Sequence, residues 1–182
     1  MDKENMNSMK KKALAFAAAA CAFGMLLSGC GSSNGDSTAD KGSNVITAYN
    51  SEPQNPLIPG DCNETGGGKP LDLLFARLIS FDAKGNASNE VAESIKSNDD
   101  ATQYTIKLKD GWKFTDGTPV TAESFTKAWS YTANAKNAQL GSSFFSTIKG
   151  YDELQDPNVD PKATLSGLST PDDYTLVVEL NK

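Results

Sequence analysis

Three textures of apolar and polar positions follow one another along the chain. Ala13–Leu27 is a run of 15 uncharged residues, almost all apolar. Gly31–Asn44 contains nothing apolar larger than Ala. From Val45 onward apolar residues recur at helix or strand spacing, which predicts a folded region. Val45–Tyr49 is β-branched and aromatic and predicts a strand. Ser51–Gly68, with Pro53, Pro56, Pro59 and three consecutive Gly, predicts a long loop, and loops of that length are usually functional or disordered. Pro70 suits the first turn of a helix, and Leu71, Leu74, Phe75 and Leu78 follow at i, i+3, i+4 and i+7. A helix is therefore predicted from Pro70 to about Ile79.

Asp82–Asn86 reads as a turn, and Glu90–Ile95 as a single helical turn or irregular chain. Tyr104–Lys109 alternates apolar and polar, the period-two pattern of a half-buried strand. Asp110-Gly111 and Asp116-Gly117 are turns that flank Trp112–Phe114. Thr121 is a good N-cap, with Glu123 in the first turn of the helix it would start. Phe125, Ala128, Trp129 and Thr132 are expected on one face of that helix, which should end near Ala135. Gly141–Asp156 predicts short helical pieces, Asp156–Gly167 a loop, and Tyr174–Leu180 a strand. The texture is α+β, with one small domain's worth of residues and no internal repeat.

The first two textures carry a different message. Lys10, Lys11 and Lys12 precede the apolar run, and Leu27-Ser28-Gly29-Cys30 closes it. That order, basic then apolar then small, is the order of an export signal. The run falls short of the roughly 20 residues a membrane-spanning helix needs. The last four residues resemble the bacterial lipobox, in which the Cys receives a diacylglycerol and becomes the first residue of the mature chain. Cys30 is therefore expected to be lipidated; a plain secretory signal with a chance Cys is the alternative. Asp2 and Glu4 are unusual in such a region, and a start at Met9 would remove them. Two acyl chains anchor firmly, because each buried methylene contributes about 0.8 kcal/mol. Residues 1–29 are expected to be the signal peptide. Residues 30–44 would be a flexible tether reaching roughly 20 Å on average.

Charge narrows the partners. The chain carries −6, and residues 1–29 hold four Lys and two acids, so the remainder is more acidic still. An acidic chain argues against nucleic-acid binding, which needs a basic face. It also argues against electrostatic attachment to anionic lipid. There is no His, which excludes Ser-His-Asp triads, Cys-His pairs and His metal sites. Once Cys21 leaves with the signal and Cys30 is lipidated, Cys62 has no disulfide partner and reads as a loop thiol.

Several motifs are weak. Gly66-Gly67-Gly68-Lys69 suggests a phosphate loop, but Asn63 and Pro70 occupy positions that need Gly and Ser or Thr. Asp156, Asn158 and Asp160 match the first ligands of a calcium loop, yet Pro161 and Gly167 fall where Gly and an acid belong. Carboxylates are plentiful, but none stands out as a hydrolytic pair. Trp112, Phe114 and Trp129 read as core, with a ligand-lining role as the alternative.

Four stretches together carry a resemblance. Thr47–Leu57, Leu74–Gly85, the long block Tyr104–Phe125 with its two Asp-Gly turns and Thr121-Ala122 cap, and Leu168–Leu180 occur in order and at matching spacing. As a set they resemble the family 5 extracellular solute-binding proteins, the peptide-binding receptors of ABC importers. Ala76-Arg77 and Asn55-Pro56-Leu57 depart from the usual pattern. The resemblance implies the N-terminal part of a two-lobed periplasmic-binding-protein-like fold of mixed α+β and α/β character, incomplete without a second lobe. Residues 45–77 would begin the first lobe and 78–182 would form an extra subdomain packed on it. In that family two lobes close on an extended peptide, pairing with its backbone.

The resemblance also implies a function: a lipid-anchored binding component on the outer face of the cell membrane. It would capture oligopeptides and pass them to the membrane subunits of an importer, without enzymatic activity or a cofactor. The loop after the first strand borders the cleft in this family, so Ser51, Glu52 and Gln54 are the candidate ligand-facing residues. Glu52 would meet a positive group on the peptide; an exposed loop carboxylate without a role is the alternative. Two other readings remain open, a self-contained surface lipoprotein with an adhesin-like role and a secreted enzyme. A chain covering only the first third of such receptors is expected to be marginally stable, with Val45–Tyr49 short of partner strands.

Overall fold

A computed structural model of the protein describes residues 47–181. Cys30, the signal segment and the tether lie outside these described residues, as do Val45 and Ile46. The fold is organised around Tyr104–Lys109, where alternation had predicted a strand. Gln103–Leu108 (β4, in chain order) is that strand, with Ile106 and Leu108 buried and Lys107 exposed between them. Before it come helix α1 (Thr65–Leu74) and strands β1 (Ile79–Phe81), β2 (Ala87–Asn89) and β3 (Ala92–Ser97). After it come helix α2 (Ala122–Ala133), three short 3₁₀ turns, and strands β5 (Leu168–Asp172) and β6 (Thr175–Glu179).

β1 and β2 form a two-stranded hairpin around the expected Asp82–Asn86 turn. The Asp82 carboxylate accepts from the backbone N–H groups of Lys84 and Asn86 at 2.8 and 2.9 Å. The main sheet is antiparallel in the order β3-β4-β6-β5. Ile106 faces Leu176 and Tyr104 faces Val178 across the central pair. Both expected Asp-Gly turns are present, with Gly111 at φ 88° and Gly117 at φ 87°, values that glycine adopts without steric cost.

Helix α2 begins at Thr121, as expected, and the Thr121 backbone N–H donates to Ser124 Oγ at 3.1 Å. Its inward stripe is Ala122, Phe125, Trp129 and Ala133, at steps of three and four, with Ser130 buried beside it. Ala128, expected on that stripe, is exposed because its position lies off this arc. Trp129 packs its ring against Phe125 and Phe145, with centroids 6.1 and 6.0 Å away. The core these elements enclose runs from Val91 to Val178, with Leu165 and Leu176 almost wholly buried. The buried Ser130 and Asn134 are paired: Ser130 Oγ accepts from Leu165 N at 3.1 Å, and Asn134 Nδ2 donates to the Asp160 carbonyl at 2.9 Å, whereas the buried Gln139 Oε1 has no partner among the described residues. Trp112 packs against the core as expected, whereas Phe114 is half exposed on its turn.

Four expectations are corrected. Thr47–Tyr49 forms no strand; these residues are exposed and no described strand pairs with them. Helix α1 starts at Thr65, five residues before Pro70, because the Glu64 side chain caps it. The helix ends at Leu74, and Ile79 belongs to β1 instead, since Leu78 pairs its carbonyl with the N–H groups of Glu90 and Ala92. Glu90–Ile95 is not helical: Ala92–Ser97 is a strand paired with β4 through a register shift between Ala92 and Ser94.

Candidate functional site

The loop from Ala48 to Asn63 folds back over the N-terminus of α1. Two features of the helix make this approach possible. Gly66 and Gly67 are buried there, and a Cβ on Gly66 would lie 2.8 Å from Ser51 Oγ and 2.9 Å from the Ser51 carbonyl oxygen. A Cβ on Gly67 would collide with Cys62 Sγ. Of the three glycines that suggested a phosphate loop, Gly66 admits the Ser51 backbone and Gly67 the Cys62 side chain, while Gly68 faces open space.

The second feature is Pro70. It sits at the sixth helical position and has no N–H to give to the carbonyl of Gly66, four residues back. Asn50 takes that place, donating through Nδ2 to the Gly66 carbonyl at 2.7 Å. Glu64 completes the arrangement. Its Oε1 accepts from Gly67 N at 2.8 Å, from Gln54 N at 3.2 Å and from the Cys62 thiol at 3.5 Å. Partial desolvation pushes the Glu64 pKa up, but these donors, Gln54 N foremost, outweigh it and hold the carboxyl below the ordinary range. Glu64 stays ionised and occupied.

Three predicted site residues therefore stand on a fastened loop. Ser51, Glu52 and Gln54 are all exposed. The Ser51 backbone is pressed on Gly66 and the Gln54 backbone is held by Glu64, which leaves the Gln54 amide outside. Among the described residues no hydrogen bond or ion pair occupies the Glu52 carboxylate. Asp61 and Glu64, the other acids of the loop, already accept from backbone donors. The loop offers a hydroxyl, a carboxylate and an amide to solvent, a set suited to hydrogen bonding and to a positive group. Among the described residues no cluster of three metal-ligating side chains occurs. Asp156 and Asp160, the calcium-loop candidates, use their carboxylates on Asn158 N and Lys162 N of their own turns.

The sequence profile of the bacterial extracellular solute-binding proteins, family 5 Middle, matches residues 86–182. The chain belongs to this family. Among its relatives, the oligopeptide-binding protein OppA of Bacillus subtilis is 30% identical over 166 residues, which are 87% of this chain and 30% of the relative. The periplasmic murein peptide-binding protein MppA of Escherichia coli is 34% identical over 111 residues, 60% of this chain and 20% of that one. Solved structures agree. The murein tripeptide-binding protein MppA of Escherichia coli superposes with a TM-score of 0.66 at 29% identity, over 74% of this chain and 26% of its own. Listeria monocytogenes OppA bound to peptide gives 0.62 at 28% identity, over 73% and 26%. This family 5 chain thus spans under a third of the relatives it matches, and its described residues form part of the periplasmic-binding-protein-like fold.

Sequence reasoning found the loop but missed what fastens it. Asn50, Cys62, Glu64, Gly66 and Gly67 do the fastening. One signal was present: a Pro inside a helical pattern leaves a carbonyl free four residues upstream. Reading Pro70 as a helix start hid it.

Proposed function

We propose that this family 5 chain is part of a solute-binding receptor that captures oligopeptides for an ABC importer, with Ser51, Glu52 and Gln54 lining the ligand cleft. The observation that carries the reading is the fastened loop: three exposed polar residues stand on a backbone tied to α1 at Ser51 and Gln54. A ligand meeting such a loop pays little ordering cost. Kinship with relatives named for oligopeptide and murein peptide binding supports the ligand class. Glu52 is assigned to a positive group of the peptide. Residues 45–77 are assigned to the first lobe and 78–182 to the extra subdomain, consistent with a main core drawn wholly from residue 78 onward. Titrating fluorescent tripeptides tests the ligand. Peptides carrying Lys are expected to bind better than their Glu counterparts, and Glu52→Gln is expected to erase that preference. An unchanged preference rejects the role of Glu52.

Cys30 is assigned a diacylglycerol that holds the chain at the outer face of the cytoplasmic membrane, where the importer's membrane subunits lie. Feeding a bacterial host an alkyne fatty acid is expected to label the chain, and Cys30→Ser is expected to abolish the label. Labelling that survives the substitution rejects the anchor.

A further inference from the structure

The loop that carries Ser51, Glu52 and Gln54 is held at a second place, far along the sequence. The Gly60 carbonyl accepts from Gly141 N at 2.9 Å, and Asp61 Oδ1 accepts from Leu140 N at 3.3 Å. The fit is close on both sides. A Cβ on Gly141 would lie 2.8 Å from the Gly60 oxygen, and a Cβ on Gly60 would collide with Thr132 Oγ1 and lie 3.2 Å from Thr132 Cγ2. Thr132 cannot turn away freely, because its hydroxyl donates to the Ala128 carbonyl at 2.9 Å. Thr132 lies at the edge of the inward stripe of α2 and is buried.

We infer that Thr132 and Gly141 are positioning residues for the ligand loop. They seat Gly60 and Asp61, which fixes where Cys62 and Glu64 stand and so where Glu64 can hold Gln54. The inference rests on the reading of the Ser51–Gln54 loop as ligand-facing. It adds that the geometry of this loop is set by helix α2 and the turn after it, elements that carry no proposed ligand contact. None of these residues belongs to the core cluster, so disturbing the seat leaves the sheet and its packing in place.

The seat makes a size-complementary pair. Gly60→Ala places a methyl group against Thr132, and Thr132→Ala on that background removes the colliding Oγ1 and the Cγ2 at 3.2 Å, leaving only Gln139 Oε1, 3.1 Å away at the end of a flexible side chain. The test uses the full chain in detergent with Cys21 and Cys30 replaced by Ser, so that Cys62 is the single thiol. In G60A the rate of Cys62 modification by a water-soluble thiol reagent is expected to rise, and affinity for a tripeptide to fall, each by about tenfold, equivalent to about 1.4 kcal/mol. In the G60A/T132A double variant both are expected to return towards the parent values. Thermal melting of the sheet should match across all the variants, which separates loss of the seat from loss of the fold. Equal thiol rates in every variant, or a double variant no better than G60A, overturn the seat. Restored thiol rates with a peptide affinity that never moved overturn the positioning role. A parent chain that binds no tripeptide overturns the ligand reading itself, and the thiol rates then show whether the seat stands without it.

Discussion

Asn50 donates to the Gly66 carbonyl at 2.7 Å, the acceptor that Pro70 leaves open inside helix α1. A proline within a helix usually costs about 3 kcal/mol, through a lost hydrogen bond and a clash with the carbonyl four residues back. Here the vacated carbonyl is used to fasten a loop. Pro70→Ala is expected to restore the helical N–H, strengthen α1 and displace Asn50. Amide exchange should then slow at the helical neighbours of position 70, where a protected amide is gained, and quicken at Asn50, Ser51, Glu52 and Gln54. Asn50→Ala should quicken the loop without strengthening the helix, at a net cost of about 0.5–1.5 kcal/mol. Equal exchange in the loop of P70A and the parent chain would contradict this account.

The core makes a contrast between two leucines. Leu176 is fully buried in β6, whereas Leu73 on α1 is 89% exposed. Leu176→Ala is expected to cost about 2–5 kcal/mol through lost transfer energy and the cavity left behind. Leu73→Ala is expected to change stability by less than about 0.5 kcal/mol, as surface changes do. Denaturant titration of the two variants measures both.

Asn134 is fully buried just past the end of α2. Its Nδ2 reaches the carbonyls of Asp160 and Ala163 at 2.9 and 3.3 Å, and its Oδ1 accepts from Lys136 N at 3.0 Å. Asn134→Ala strands the Ala163 carbonyl and the Lys136 N–H, while the Asp160 carbonyl keeps its bond from Ala163 N, and is expected to cost about 1–3 kcal/mol. Asn134→Asp is expected to be worse, since it puts a carboxylate against two carbonyl oxygens. Equal melting of N134A and the parent would show that the Asp156–Gly167 loop does not depend on this side chain.

Acid sensitivity follows from the turns. Side-chain donors at Asn86, Thr102 and Thr118 pull the Asp82, Asp100 and Asp116 carboxyls below their ordinary values, and the Tyr174 N–H does the same for Asp172. A carboxyl depressed in the folded state contributes stability that is full above its unfolded pKa, about 3.9 for Asp, and is lost as pH falls through the folded value. Stability should therefore decline as pH drops below about 4, and Asp82→Asn with Asp116→Asn should make that decline shallower. Tyr174 has the opposite sign. The Asp110 carboxylate nearby raises its pKa, so its contribution is full below about 10 and is lost at higher pH. Denaturant titrations from pH 2 to 11 follow both limbs.

How far the sequence led depends on the element. β4 was legible because Tyr104–Leu108 alternates, and β6 because the apolar, β-branched run Leu176–Val178 sits between polar Thr175 and Glu179. Strand β3 was not, since Ala92–Ser97 holds one large apolar residue, Ile95, and gains its form from pairing with β4 across a register shift. The start of α1 was hidden because Glu is an uncommon N-cap and three glycines argue against a helix. Its buried glycines depend on a loop arriving from outside, which no local pattern records. Ser51, Glu52 and Gln54 came from a family resemblance, and no local pattern singles them out; Glu64 and Asn50 became visible only with the backbone in place. Burial of Thr132 likewise depends on Gly60, 72 positions upstream.

The central claim is that the Ser51–Gln54 loop faces a peptide ligand. The most direct test is chemical-shift mapping on the isotope-labelled full chain in detergent during titration with a Lys-containing tripeptide. The account predicts saturable shifts centred on Ser51, Glu52 and Gln54 and extending to Gly66 and Gly67, with the β3-β4-β6-β5 sheet unmoved. Saturable shifts centred on the sheet or on the β1-β2 hairpin, or none at millimolar peptide, would contradict it.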